Sequence, residues 1–129
     1  MRLLLDTHTF LWWMFGDAKL PQRARQALAD DEANEAFVSA ASAWEITTKF
    51  RIGKLEDAAA VARDVATAIA AEGFAELPIT VGHAQSAGTL GGRHRDPFDR
   101  MLIAQALAED LTLVSNERAF DAYGVKRLW

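Results

Sequence analysis

Short apolar runs alternate with longer amphipathic or alanine-rich stretches along this chain. Leu3–Leu5 is a run of three leucines that stops at Asp6, a length that suits a buried strand. Ala36–Ser39, Leu77–Thr80, Leu111–Ser115 and Val125–Leu128 read as four further short strands. Helical stretches lie between them. Thr9–Phe15 is closed by Gly16, and Pro21–Asp30 opens with proline in the first turn, where its missing N–H costs little. Ser42–Arg51 is closed by Gly53. Asp57–Glu72 reads as one long alanine-rich helix with Val61, Val65 and Ile69 on a single stripe. Val81–Thr89 and Pro97–Asp110 complete the set, and Leu90–Arg95 between them is the loosest segment. Short apolar strands alternating with helices predict an α/β domain whose mostly parallel sheet is covered on both faces.

Composition narrows the chemistry. With 129 residues the chain is expected to form one domain, residues 1–129, large enough to bury a core without staples. Cysteine is absent, which excludes disulfides, thiolate metal sites and cysteine nucleophiles. The formal net charge of −4 gives no hint of the broad basic face expected of a simple nucleic-acid binder. No apolar stretch approaches 18 residues, and the apolar start is too short for a signal peptide. The expectation is a soluble cytoplasmic protein without a membrane partner.

The acids carry more information. Ligands of open parallel sheets bind beyond the carboxyl ends of the strands. Asp6 follows the first strand directly, Glu45 lies six residues beyond the second, and Asn116 and Glu117 follow the fourth. Asp96 and Asp99 open the helix before that fourth strand. Each acid also has a structural reading. Asp6 would cap the next helix, Ser42-Ala-Trp-Glu45 fits a capping box, and Asp96-Pro97 fits an N-cap followed by proline. Glu117 would be an ordinary exposed acid. Gathered on one edge, however, the carboxylates repel: at an effective dielectric of about 20, a pair 4 Å apart costs on the order of 4 kcal/mol. A hard divalent cation with oxygen ligands is the simplest compensation. Without those four acids the chain holds as many acidic as basic residues.

The segments Leu-Leu-Asp6-Thr7-His8, Ser42-Ala-Trp-Glu45-Ile46, Asp96-Pro-Phe-Asp99-Arg-Met-Leu-Ile-Ala-Gln-Ala106 and Leu-Val-Ser115-Asn-Glu117-Arg-Ala-Phe120 together resemble PIN domains. The resemblance is to the prokaryotic VapC-type toxin-like group and runs nearly the whole chain, into the Tyr123…Leu128-Trp129 tail. It implies a three-layer α/β/α sandwich and an endoribonuclease dependent on Mg²⁺ or Mn²⁺, with one or two ions. By motif position Asp6, Glu45 and Asp99 are the implied metal-binding and catalytic acids. Glu117 stands where a fourth acid, usually Asp, is found, and its extra methylene allows contact with a metal through water. Thr7, Asp96, Ser115 and Asn116 are supporting candidates, Asp96 as a cap first. The resemblance also implies an RNA substrate, a VapB-like antitoxin as partner, and a homodimer. The alternative is a PIN-like module that binds RNA or a partner with little or no nuclease activity. Two other folds with an acid after the first strand fit less well: a haloacid-dehalogenase-type phosphatase needs Asp where His8 stands, and a receiver domain needs a late lysine that Lys126 does not match.

Two surfaces follow from the same reading. Lys49, Arg93, Arg95 and Arg100 flank the acids and are candidates for phosphate contacts, or else a solvated loop and helix face. His94 would assist as a proton donor or simply belong to the loop. Trp12, Trp13 and Phe15 crowd one short helix that cannot turn them all toward a single core stripe. They are expected either in the core or, with Lys49–Leu55, at a protein interface.

Overall fold

The computed structural model describes all of residues 1–129. Five strands, β1 (Arg2–Leu5), β2 (Glu35–Ser39), β3 (Ala75–Leu77), β4 (Thr112–Val114) and β5 (Lys126–Leu128), form one sheet in the order β3-β2-β1-β4-β5. Every pairing is parallel, with Leu4 opposite Phe37 on one side and Leu113 on the other. The central strand is buried on both faces, which is why it reads as an unbroken leucine run. Side chains alternate across the pleat. Leu3, Leu5, Val38 and Val114 join one core with Phe10, Leu28, Ile46 and Ile69. Leu4, Phe37 and Leu113 join a second with Leu102, Ile103 and Phe120. These two cores separate the three layers of an α/β/α sandwich.

The helices are α1 (Thr7–Phe15), α2 (Gln22–Ala29), α3 (Ala40–Arg51), α4 (Ala59–Arg63), α5 (Val65–Ala71), α6 (Val81–Thr89) and α7 (Pro97–Glu109). Three of the expected boundaries move, each for a local reason. The third strand is Ala75–Leu77 rather than Leu77–Thr80, because its pairing with Phe37–Ser39 ends at Leu77 and Pro78 has no N–H to extend the ladder. The long Asp57–Glu72 helix is broken at Asp64. The Asp64 carboxylate takes the Thr67 amide at 3.1 Å and the Thr67 hydroxyl at 2.7 Å, starting α5 afresh. Val61, Val65 and Ile69 still reach the same core.

The third change matters for function. Helix α3 begins two residues earlier than expected, with Ser39 as its cap through the Ala41 amide. Ser42 is therefore inside the helix, and the capping box expected of Ser42 and Glu45 does not form. Glu45 is left deep in the helix with no backbone donor to serve. Arg118–Tyr123, which the sequence pattern leaves unassigned, forms a 3₁₀ turn.

Candidate active site

The strand order reverses at β1. The chain builds outward through β2 and β3, then returns to place β4 and β5 on the opposite side. Such a switch point opens a crevice at the carboxyl ends of the two diverging strands. Asp6 follows β1 and Ser115 follows β4, and the Ser115 hydroxyl donates to Asp6 Oδ2 across that crevice. Asp6 Oδ1 accepts the Thr9 amide at 2.8 Å. Asp6 is thus both the cap of α1 and a buried carboxylate at the switch point; the two sequence readings are compatible.

Glu45 is the more telling acid. It is only 3 % exposed, and its Oε1 accepts the Thr7 hydroxyl at 2.6 Å. Lys49, one turn later on α3, donates to its other oxygen. Thr7 also lies 3.0 Å from the Ser42 hydroxyl, so the residue after Asp6 ties the start of α1 to α3. A buried carboxylate is stable only when paired and hydrogen-bonded. Lys49 supplies the charge and Thr7 the second bond. Burial alone pulls the Lys49 ammonium toward neutrality. The hydrogen bond and charge of Glu45, with Asp96 and Asp99 nearby, outweigh it and raise its pKa.

Helix α7 brings the remaining acids. Asp96 caps it through the amides of Phe98 (2.9 Å) and Asp99 (3.1 Å), with Pro97 at its first position as expected. Asp99 Oδ2 meets His94 Nε2 at 2.7 Å. Burial is the main force on Asp99. The hydrogen bond to His94 opposes it, the charges of Asp96 and Glu45 reinforce it, and the result is a pKa pushed up to about 6. The position of α7 is fixed by Gln105, fully buried, which accepts the Ser39 hydroxyl at 2.5 Å and donates to the Pro78 carbonyl at 3.2 Å. One serine thus caps the helix bearing Glu45 and holds the helix bearing Asp99.

Asp6, Glu45, Asp96 and Asp99 share this edge of the sheet, with Thr7 and Ser115 bonded to them. Glu117 is only loosely attached: its amide donates to Ser115 Oγ at 3.0 Å, while its exposed carboxylate caps the 3₁₀ turn through Ala119. Asn116 is exposed beside it. No three of the Asp, Glu and His side chains are drawn together tightly enough to ligate one ion. The donor set is nonetheless all oxygen, as a hard divalent ion requires. Lys49 answers the charge of Glu45, and burial, reinforced by the charges of Asp96 and Glu45, holds the pKa of Asp99 up.

The flanking cations divide. Arg93 and Arg95 are exposed on the loop before α7. Arg100 is occupied: its guanidinium donates to the carbonyls of Ala87 (3.3 Å), His94 (3.0 Å) and Leu90, holding the 90–95 loop in place. Lys49 lies within the site rather than beside it. Sequence reasoning missed Tyr123, whose hydroxyl accepts the His94 amide at 3.0 Å; only the fold brings the 3₁₀ turn to that loop. Gly92, with φ +81°, lies where a Cβ would stand 2.5 Å from that hydroxyl.

The aromatic helix is largely absorbed by the fold. Trp13 meets Phe74 at a tilt, with centroids 5.7 Å apart, and donates to Glu72 at 3.1 Å, and Trp12 lies between His8 and Trp129 with Lys19 over its ring. Phe15 remains 47 % exposed. It borders a 250 Å³ groove between α1 and the Lys54–Ala58 segment, which Leu11, Trp12 and Leu55 also line. No helix is long and apolar enough to cross a membrane.

Several solved structures share this fold. VapBC2 from Rickettsia felis, bound to a DNA fragment from its promoter, superposes with a TM-score of 0.69 at 17 % identity, covering 99 % of this chain and 98 % of that one. FitAcB from Neisseria gonorrhoeae gives 0.65 at 17 % identity, covering 98 % and 96 %. VapBC-1 from nontypeable Haemophilus influenzae gives 0.65 at 14 % identity, covering 99 % and 97 %. No curated protein sequence matches the chain. The family model of the PIN domain matches residues 3–126, so the chain belongs to the PIN-domain family.

Proposed function

We propose that this protein is a metal-dependent endoribonuclease and the toxin of a type II toxin–antitoxin pair. The observation that carries the reading is Glu45, a carboxylate buried on a helix where it serves no cap, held beside Asp99 and joined to Asp6 through the adjacent Thr7. A fold does not keep such an acid for stability, since a buried ion pair rarely outperforms apolar packing. Asp6, Glu45 and Asp99 would hold Mg²⁺ or Mn²⁺, with Glu117 reaching in through water. When bound, the ion supplies an activated water and charge neutralisation at the phosphate. The chain's own residues do the rest. Thr7 and Ser115 orient Glu45 and Asp6 through their hydroxyls, and His94 fixes Asp99. Lys49, once released from Glu45, offers a cation to the phosphate, and Arg93 and Arg95 offer two more. Arg100 is left out of that set because its donors are spent.

The groove beside Phe15 is the natural seat for a partner helix, and the solved relatives named above are VapBC and FitAcB assemblies. We carry a VapB-like antitoxin over to this chain on that basis, together with a homodimer. Incubation of a mixed RNA pool with Mn²⁺ checks the central claim. Wild type should cleave to products with 5′-phosphates, and Asp99→Asn should lose at least about 100-fold. Equal cleavage by the two proteins, or cleavage undiminished by chelator, would reject it. The alternative, an inert RNA- or partner-binding module, is favoured by Glu117 facing outward and by the wide spacing of the acids, and predicts no metal-dependent cleavage at all.

A further inference from the structure

A second feature at the same edge is apolar. A cavity of 280 Å³ opens between α3, α6 and α7, lined chiefly by Trp44, Ile79, Pro97, Phe98 and Met101, with Arg100 at its border. Trp44 is 62 % exposed, an unusual position for the largest apolar side chain of its helix. It is not loose: its ring meets Phe98 edge to face, with centroids 4.9 Å apart and planes at 79°. Each ring is the chain neighbour of a site acid, Trp44 of Glu45 and Phe98 of Asp99. None of the acids lines the cavity; it meets their cluster at the start of α7, where Pro97 and Phe98 line it and Asp96 accepts the amides of Phe98 and Asp99. Arg100 also lines an adjoining, wholly polar concavity with Arg93, His94 and Arg95.

We propose that this cavity is a nucleobase subsite, in which one unpaired base of the RNA strand stacks on Trp44 while its flanking phosphates lie along Arg93 and Arg95. A rigid, exposed aromatic next to a cationic track is the arrangement that binds single strands, because every base has a π-face and every linkage a negative charge. The charge beside the cavity suits a polyanion. At 280 Å³ it has room for one base. The subsite rests on the nuclease reading and adds to it a preference for single-stranded RNA with an intact base next to the cleaved bond.

The test maps the cleaved bond in a single-stranded RNA, then moves one abasic position along each side of it. For wild type, one abasic position should raise KM about 5- to 150-fold, the span of base–aromatic stacking, with kcat within about 2-fold. Trp44→Ala should show the same loss on intact RNA and none further on the abasic substrate. Trp44→Phe should retain most of the wild-type preference. The proposal is overturned if Trp44→Ala still discriminates against the abasic RNA as wild type does. It is equally overturned if sedimentation shows that Trp44→Ala halves the mass of the protein, which would make the face a contact between copies. Absence of RNA cleavage by wild type would instead reject the nuclease reading and this subsite with it, so the two failures are distinguishable.

Discussion

At the scale of single residues the site is held by exchangeable partners. Glu45 keeps its charge indoors because Lys49 sits on it and Thr7 donates to it. Removing the ammonium leaves a buried carboxylate facing no cation. Lys49→Met should lower stability by about 2 kcal/mol, below the roughly 3–5 kcal/mol of a fully enclosed pair, because part of Lys49 remains in water. Adding Glu45→Gln should restore at least half of that loss, since the orphaned charge is gone. Urea midpoints for the two single variants and the double variant measure the coupling. If Lys49→Met leaves the midpoint unchanged, the pair does not hold Glu45. The i, i+4 spacing of Glu45 and Lys49 was legible in the sequence. That Glu45 is buried was not. It follows from α3 starting at Ala40, a boundary set by Ser39, whose hydroxyl must also reach Gln105 some 66 residues away in sequence.

At the scale of elements, the strands were legible where their burial is complete and less so where a side chain intervenes. Leu3–Leu5 and Ala36–Ser39 announce themselves because both faces are covered. Ala75–Leu77 hides, since Glu76 interrupts it and Pro78 lies just past its end. Asp64 gave no visible break in an alanine-rich run, because its capture of Thr67 is a choice between two hydrogen-bonded states that periodicity cannot register. The 90–95 loop is a further case: two glycines, two arginines and a histidine look unstructured, yet Arg100 and Tyr123 fix it from either side. Arg100 uses a planar fork of donors that an ammonium cannot reproduce. Arg100→Lys should therefore free the loop while leaving the sheet intact. Trypsin should cut after Arg93 or Arg95 several-fold faster in the variant, with the far-ultraviolet circular dichroism unchanged. Equal digestion rates would show that the loop is held without this clamp.

At the scale of the whole molecule, the parallel sheet decides which acids meet. Alternation of short strands and helices places Asp6, Glu45 and Glu117 near one edge, with Asp99 joining them only where the loop before it returns there, and the family resemblance names Asp6, Glu45 and Asp99 as the core acids. Neither shows that Glu117 faces outward, because its orientation depends on the 3₁₀ turn it caps. The acids of that edge belong to a molecule of net charge −4. An ion bound there stabilises the fold by linkage, about 2.7 kcal/mol at 100 times its Kd. Mn²⁺ should therefore raise Tm by several degrees, and Asp6→Asn should abolish most of the rise. Acidity modulates both states in opposite directions. Asp99 has a folded pKa of about 6 against an ordinary value of about 3.9, so the folded metal-free chain retains a proton that the unfolded chain has released. Metal-free stability accordingly falls as pH rises from about 4 to about 6. With Asp99 a ligand as proposed, the ion would need it ionised, so its contribution would grow over the same interval and be complete only above about 6. Thermal unfolding with Mn²⁺ or with chelator, from pH 5 to 8, should give two curves that converge at the acid end and separate toward neutrality. Parallel curves, or a separation that survives Asp6→Asn, would place the ion somewhere other than this edge of the sheet.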